Sequence, residues 1–113
     1  MKGVGALKAI AGFGPYAASN SGLIALTKTA ALECASSGIG VNVICPGLTA
    51  RTQLSDNLAA AEPGAKESLV QVVPMRRMGE PEEVAQAVLW LCSDAASFIT
   101  GHVMPIDGGL TAS

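Results

Sequence analysis

Tyr16 and Asn20 are the residues in this chain whose types and spacing bear most directly on chemistry. Four positions is about one helical turn, so both would share a face of a helix. A phenol with an ammonium at that spacing is a proton-transfer device, because the cation stabilises the phenolate. Here the second position is an amide. A cation within reach favours the phenolate by roughly ten- to thousandfold. Asn20 forfeits that gain, although its amide still hydrogen-bonds hydroxyl groups. Lys28 cannot stand in, since it lies about 18 Å further along a helix at ~1.5 Å per residue and about a third of a turn away. On the motif alone, Tyr16 reads first as a packed ring with its hydroxyl at the surface.

The elements that must hold this pair follow from pattern. Pro15 to about Ser36 reads as a helix, with Pro15 in the first turn and Gly38 as C-cap. Its interior is rich in small residues (Ala17, Ala18, Ser21, Gly22, Ala25, Ala30, Ala31), which allow close approach to a sheet or a second helix. Gly40–Cys45 is a short β-branched run ended by Pro46-Gly47, as expected of a strand covered on both faces. Residues 48–73, with Pro63-Gly64 in the middle, hold one or two short helices in a mobile insertion. Pro81–Ser93 is a clearer helix: Glu82 and Glu83 complement its N-terminal dipole, and Val84, Val88 and Leu91 recur at helical spacing. His102–Ile106 is a second strand closed by Asp107-Gly108-Gly109, and Pro105 inside it points to an edge position or to a site where no ladder hydrogen bond is required. The order strand–helix–strand favours a parallel pair with a right-handed crossover. Residues 1–15 are Gly-rich and weakly patterned, with Ala6–Ala11 readable as a short strand or a helical turn.

Composition narrows the classes. The chain has 113 residues, half of them apolar and 14% charged, which suits an α/β core or an oligomer interface and argues against disorder. A net charge of −2 without a basic run gives nothing to recruit nucleic acid or an anionic membrane. No apolar run approaches the ~20 residues that span a bilayer, and the glycines of residues 1–15 make a poor signal peptide. Cys34, Cys45 and Cys92 show neither metal spacing nor a redox pair, and are expected to be buried, reduced core thiols of a cytoplasmic protein. His102 has no Cys or His partner nearby, so no metal site is expected.

Three stretches in order resemble the short-chain dehydrogenase/reductase family. Pro15–Glu33 (PYAASNSGLIALTKTAALE) is similar to its active-site helix, and Gly40–Gly47 to the following strand with its Pro-Gly end. Pro74–Gly109 is similar to its C-terminal helix, subunit-facing turn and last strand. An ordered series is far more specific than a single motif. The resemblance implies an α/β fold, namely part of a doubly wound, Rossmann-like sheet with a parallel strand pair and crossover helices. It also implies an NAD- or NADP-dependent oxidoreductase acting on a small-molecule alcohol or carbonyl. Residues 1–113 would form one C-terminal portion of such a domain, with 1–15 poorly matched and 48–73 as the variable substrate-loop insertion.

The same resemblance assigns roles. Tyr16 is implied as acid/base, and Asn20 stands where the family has a Lys that activates the Tyr and holds the nicotinamide ribose. The backbone of Pro46, Gly47, Leu48 and Thr49 would face the nicotinamide. The family's phosphate-touching Thr falls on Arg51, which leaves Thr49 or Thr52 as substitutes. The family's Ser falls on Gly3 by spacing or on Ala9 by local pattern, and neither carries a hydroxyl. Gly3-Val4-Gly5 is too short for a phosphate-binding turn. Arg76 and Arg77 read as a solvated pair, and Ser97–Gly101 with the last strand as a subunit-contact surface. The expectation is a homo-oligomer whose isolated chain is weak or inactive as an enzyme. The alternative is a non-catalytic remnant, or an interaction module of the same fold.

Overall fold

The computed structural model describes residues 11–61 and 63–112. The expectations placed on Gly3, Val4, Gly5, Ala9 and most of Ala6–Ala11 fall outside that range. Within it, the chain forms α1 (Gly14–Cys34), β1 (Val43–Pro46), α2 (Gln53–Ala61), α3 (Ala65–Val72), α4 (Pro81–Leu91) and β2 (Val103–Ile106). Short 3-10 turns follow α1 at Ala35–Ser37 and α4 at Asp94–Ala96.

The expected helices and parallel pair are present, and their limits have local causes. α1 starts with Pro15 in its first turn, and its exit closes on Gly38 at φ 74°, whose N–H bonds Ala35 O at 3.1 Å. The insertion holds two helices, separated at Gly64, which takes φ 84°. α4 opens with a reciprocal capping box: the Glu80 side chain accepts from the Glu83 backbone, and the Glu83 side chain accepts from the Glu80 N–H at 3.0 Å. It ends at Leu91, two residues sooner than the pattern suggested.

β1 and β2 run parallel, with Val43 opposite Val103 and Cys45 opposite Pro105. β1 begins at Val43 rather than Gly40 because the preceding backbone is engaged elsewhere. Val41 N–H donates to Thr100 Oγ1, Gly101 N–H donates to Val41 O, and the Asn42 side chain bridges Ile99 O and the His102 N–H. Ladder bonds then run from Val43 N to His102 O and from Gly47 N to Ile106 O. Even-numbered residues of β2 therefore face β1, and Pro105 turns its donorless nitrogen to the outer edge.

Val43, Ile44 and Cys45 are buried, joined in the core by Ala31, Val73, Met78, Val84 and Ala96. The cysteine expectation holds for one of three: Cys45 is buried, Cys34 is half-buried and Cys92 is exposed. Cys92 follows the last residue of α4, where the helix face turns outward. Burial pushes the Cys45 thiol up from its ordinary value, so it stays protonated.

Candidate active site

Tyr16 lies in the first turn of α1 and is 48% exposed. Its ring meets Phe13 edge-on, with centroids 6.2 Å apart and planes at 78°, which sets its direction. Its backbone carbonyl accepts the Ser19 hydroxyl at 3.0 Å. One turn on, Asn20 is 1% exposed, and among the described residues neither Nδ2 nor Oδ1 has a hydrogen-bond partner. A buried amide without partners is destabilising by about 1–3 kcal/mol. Such a group fits a site whose bonding partner comes from outside the described residues.

The second group of expected residues forms the exit of β1. Pro46 is its last residue, and Gly47 lies so close to the turn after β2 that an added Cβ would sit 2.8 Å from Asp107 Cβ and 2.9 Å from its Cα. Only glycine fits that approach. Leu48 and Thr49 then run beside Gly79: Gly79 N–H donates to Leu48 O and Ala50 N–H donates to Gly79 O, both at 2.8 Å. The two hydroxyls nearest the position of the expected phosphate-touching Thr are engaged internally. Thr49 donates to Gly47 O at 3.1 Å, while Thr52 donates to Thr49 O and accepts the Ser55 N–H. Arg51 aims its guanidinium at Glu80 and Glu82, at 3.0 and 2.8 Å.

A crevice of about 370 Å³ opens outside the carboxyl ends of the two strands, where ligands bind in open parallel sheets. Leu48, Met75, Val84 and Ile106 supply apolar wall, and Asp107 and the Arg77–Glu83 pair supply charge. Tyr16 and Asn20 do not line it. Of the expected residues, only Leu48 does. The sequence signals for the rest were the Asp107-Gly108-Gly109 turn and the acidic start of α4, which had been read as strand end and helix cap.

The crevice carries one cation, Arg77, and two carboxylates, Glu83 and Asp107, so its charge is net negative. Arg77 is not merely solvated: Nη1 and Nη2 meet the two Glu83 oxygens at 2.7 and 3.0 Å. That bond, with the Glu80 N–H, holds the Glu83 carboxyl at about 2 and raises Arg77 above its ordinary value. Arg76 instead folds onto Gln71, with Nη1 3.0 Å from Oε1. Burial opposes ionisation of Asp107. Bonds from the Thr111 hydroxyl and from the N–H groups of Gly109, Thr111 and Leu110 outweigh it, so the carboxyl sits below its ordinary value. Among the described residues, no group of three or more His, Cys, Asp and Glu could hold a metal ion, and no helix is long and apolar enough to cross a membrane.

A parallel strand pair with helices on its crossovers and a crevice at the carboxyl ends defines a piece of a doubly wound α/β protein. The comparisons identify which. The model of the "Enoyl-(Acyl carrier protein) reductase" family matches residues 1–111. The chain is 43% identical over 97 residues to the A-factor type gamma-butyrolactone 1'-reductase (1S-forming) of Streptomyces virginiae, covering 86% of this chain and 37% of that one. It superimposes on levodione reductase with a TM-score of 0.91 and 35% identity, over 99% of this chain and 45% of that one. It superimposes likewise on ElxO with NADP bound, at a TM-score of 0.89 and 30% identity, over 99% and 45%. The chain belongs to the short-chain dehydrogenase/reductase family. It spans less than half the length of these relatives.

The residues present fit one end of a nicotinamide dinucleotide better than the other. The Asn20 amide, without a partner among the described residues, has the chemistry to bond a ribose hydroxyl, whereas in the Pro46–Thr49 stretch the Gly47 N–H and the Gly47, Leu48 and Thr49 carbonyls are already bonded within the chain. For the pyrophosphate, the hydroxyls of Thr49 and Thr52 are already donated and Arg51 is turned to carboxylates.

Proposed function

We propose that this chain is the C-terminal part of an NAD- or NADP-dependent oxidoreductase for a small alcohol or carbonyl compound, weak or inactive by itself. The observation that carries the reading is Asn20: buried, without a partner among the described residues, and one turn from Tyr16. The bound dinucleotide would supply or accept the hydride. Tyr16 would give its phenolic proton to the carbonyl oxygen during reduction, and take it back during oxidation. The Tyr16 side chain is about half exposed, not closed off by the fold. Asn20 would orient the ribose by hydrogen bonding, but it brings no charge to stabilise the phenolate. Pro46, Gly47, Leu48 and Thr49 would position the nicotinamide through backbone groups, held rigid by the Gly47–Asp107 contact.

The partners follow from the surface. Leu32, Leu89 and Phe98 are exposed at 81%, 63% and 102%, and apolar faces of this kind are covered by association. A homo-oligomer, in a cytoplasmic setting that keeps Cys92 reduced, is the assembly this supports.

A second reading has its own support. With half a dinucleotide site, little binding energy offsets the cost of ordering a ligand, and an uncharged residue at the Lys position removes the activation of Tyr16. The chain would then be a non-catalytic remnant or an interaction module. Fluorescence titration with NADH and NADPH separates the two: micromolar binding by the isolated chain contradicts the remnant. Joined to a complementary N-terminal part that carries the Gly-rich turn and the Ser, Asn20→Lys should raise turnover at least tenfold. No gain would remove Asn20 as the cause of weakness.

A further inference from the structure

The closest approaches of glycine among the described residues converge on one turn, Asp107-Gly108-Gly109. From β1, Gly47 lies against Asp107, as described above. From the segment after α3, a Cβ added to Gly108 would fall 2.7 Å from Val73 Cγ1 and 3.4 Å from Met75 Cβ. One added to Gly109 would fall 3.2 Å from Pro74 Cβ and Cγ. Gly108 and Gly109 also take φ 63° and 93°, which glycine adopts without strain. Backbone bonds join the same pieces of chain: Gly47 N–H donates to Ile106 O at 2.9 Å, and Met75 N–H donates to Gly108 O at 3.1 Å.

One carboxylate shapes this turn. Asp107 Oδ1 accepts the Gly109 N–H at 3.0 Å, while Oδ2 accepts the Thr111 N–H at 3.0 Å and the Thr111 hydroxyl. Bonds to an ionised acceptor are about twice as strong as neutral ones. Both oxygens face donors, so an amide in the same place would turn an N–H toward an N–H. Leu48 follows Gly47 and Met75 follows Pro74, and both line the crevice together with Asp107, Gly108 and Gly109. Two wall segments from distant parts of the chain are therefore packed on a turn that one side chain holds.

We propose that Asp107 is a positioning residue for the crevice: its carboxylate, acting through Gly47 and Gly108, sets where the Leu48 and Met75 walls stand for a small, mainly apolar ligand. The setting of the walls is independent of the oxidoreductase reading, because it needs neither a cofactor nor Tyr16. Only its bearing on a nicotinamide at the β1 exit rests on that reading.

Residue-resolved amide hydrogen exchange on this chain tests it, with circular dichroism to verify folding. Asp107→Asn keeps the shape and removes the charge. It should speed exchange at Gly47 and Met75 about tenfold, as the loss of a charge-assisted bond opens the turn locally. Val43, at the far end of β1, and Glu83, in the cap of α4, bond His102 O and Glu80 O through their amides. Their rates should stay within about twofold. Thr111→Val is milder and retains the Thr111 N–H. It should speed Gly47 and Met75 about threefold, and Thr111→Ser should leave both at the unsubstituted rate. Equal acceleration at all four amides overturns the proposal, because Asp107 would then serve overall stability alone. A response at only one of Gly47 and Met75 overturns it too, since one wall would be independent of the turn. Unchanged rates in both Asp107→Asn and Thr111→Val have the same force.

Discussion

Asn42 and Asn20 carry the same side chain into two differently built regions. Asn42 stands just before β1, and both ends of its amide are used: Nδ2 donates to Ile99 O at 3.2 Å and Oδ1 accepts the His102 N–H at 3.0 Å. Asn20 is more deeply buried, and both ends of its amide are idle. The first region closes on itself, so its polar groups serve the fold. The second leaves a polar group unanswered within the described residues, and that is where a partner or ligand has something to contribute. An asparagine is structural or functional according to who completes it.

Substitutions can break this contrast. Gly47→Ala should have the largest effect, because the new Cβ would press on the Asp107 backbone, which cannot rotate away. A loss of about 3 kcal/mol in urea unfolding is expected, and a loss under about 1 kcal/mol would mean that the strand exit yields more than its contacts suggest. Asn42→Ala should cost about 1 kcal/mol, since it removes the bonds to the part-buried Ile99 O and to the exposed His102 N–H. Asn20→Leu should go the other way and stabilise by about 1 kcal/mol, because an unsatisfied amide gives place to an apolar group of similar size. If both asparagine changes destabilise alike, the contrast is gone.

The smallest effect concerns acid. The folded Asp107 carboxyl titrates below its unfolded value, so its contribution is whole above about pH 4 and is lost as pH falls through the lower folded value. Acid unfolding of the unsubstituted chain should therefore show a component below about pH 4 that Asp107→Asn lacks. Identical acid profiles would show that the turn does not depend on the charge.

Much of this architecture was legible in the sequence, for reasons that differ by element. Pro15, Gly38 and the small-residue interior announced α1, and the β-branched run before Pro46-Gly47 announced β1, because those residue types limit backbone geometry directly. Tyr16-Ala17-Ala18-Ser19-Asn20, followed by matching segments in order, was enough for the family. What stayed hidden depends on residues far apart in the chain. Asn42 stops the ladder by reaching Ile99 and His102, some sixty positions away. Arg51 and Arg76 carry no turn signature, as arginine is no usual choice for positive φ. Cys92 looked like a core thiol because its neighbours are apolar, but the helix places it on the outer face. The crevice walls come from four segments, and no single one of them carries the pattern of a cavity.

Pro105 has a consequence in the language of polymer growth. Its nitrogen faces the outer margin of β2, where an incoming strand would look for a donor, and it has none to offer. Val103 alone can donate on that margin of the strand. Addition of further strands there is interrupted after one rung, so β2 acts as a terminator, and a sheet that includes this pair extends only from the β1 side.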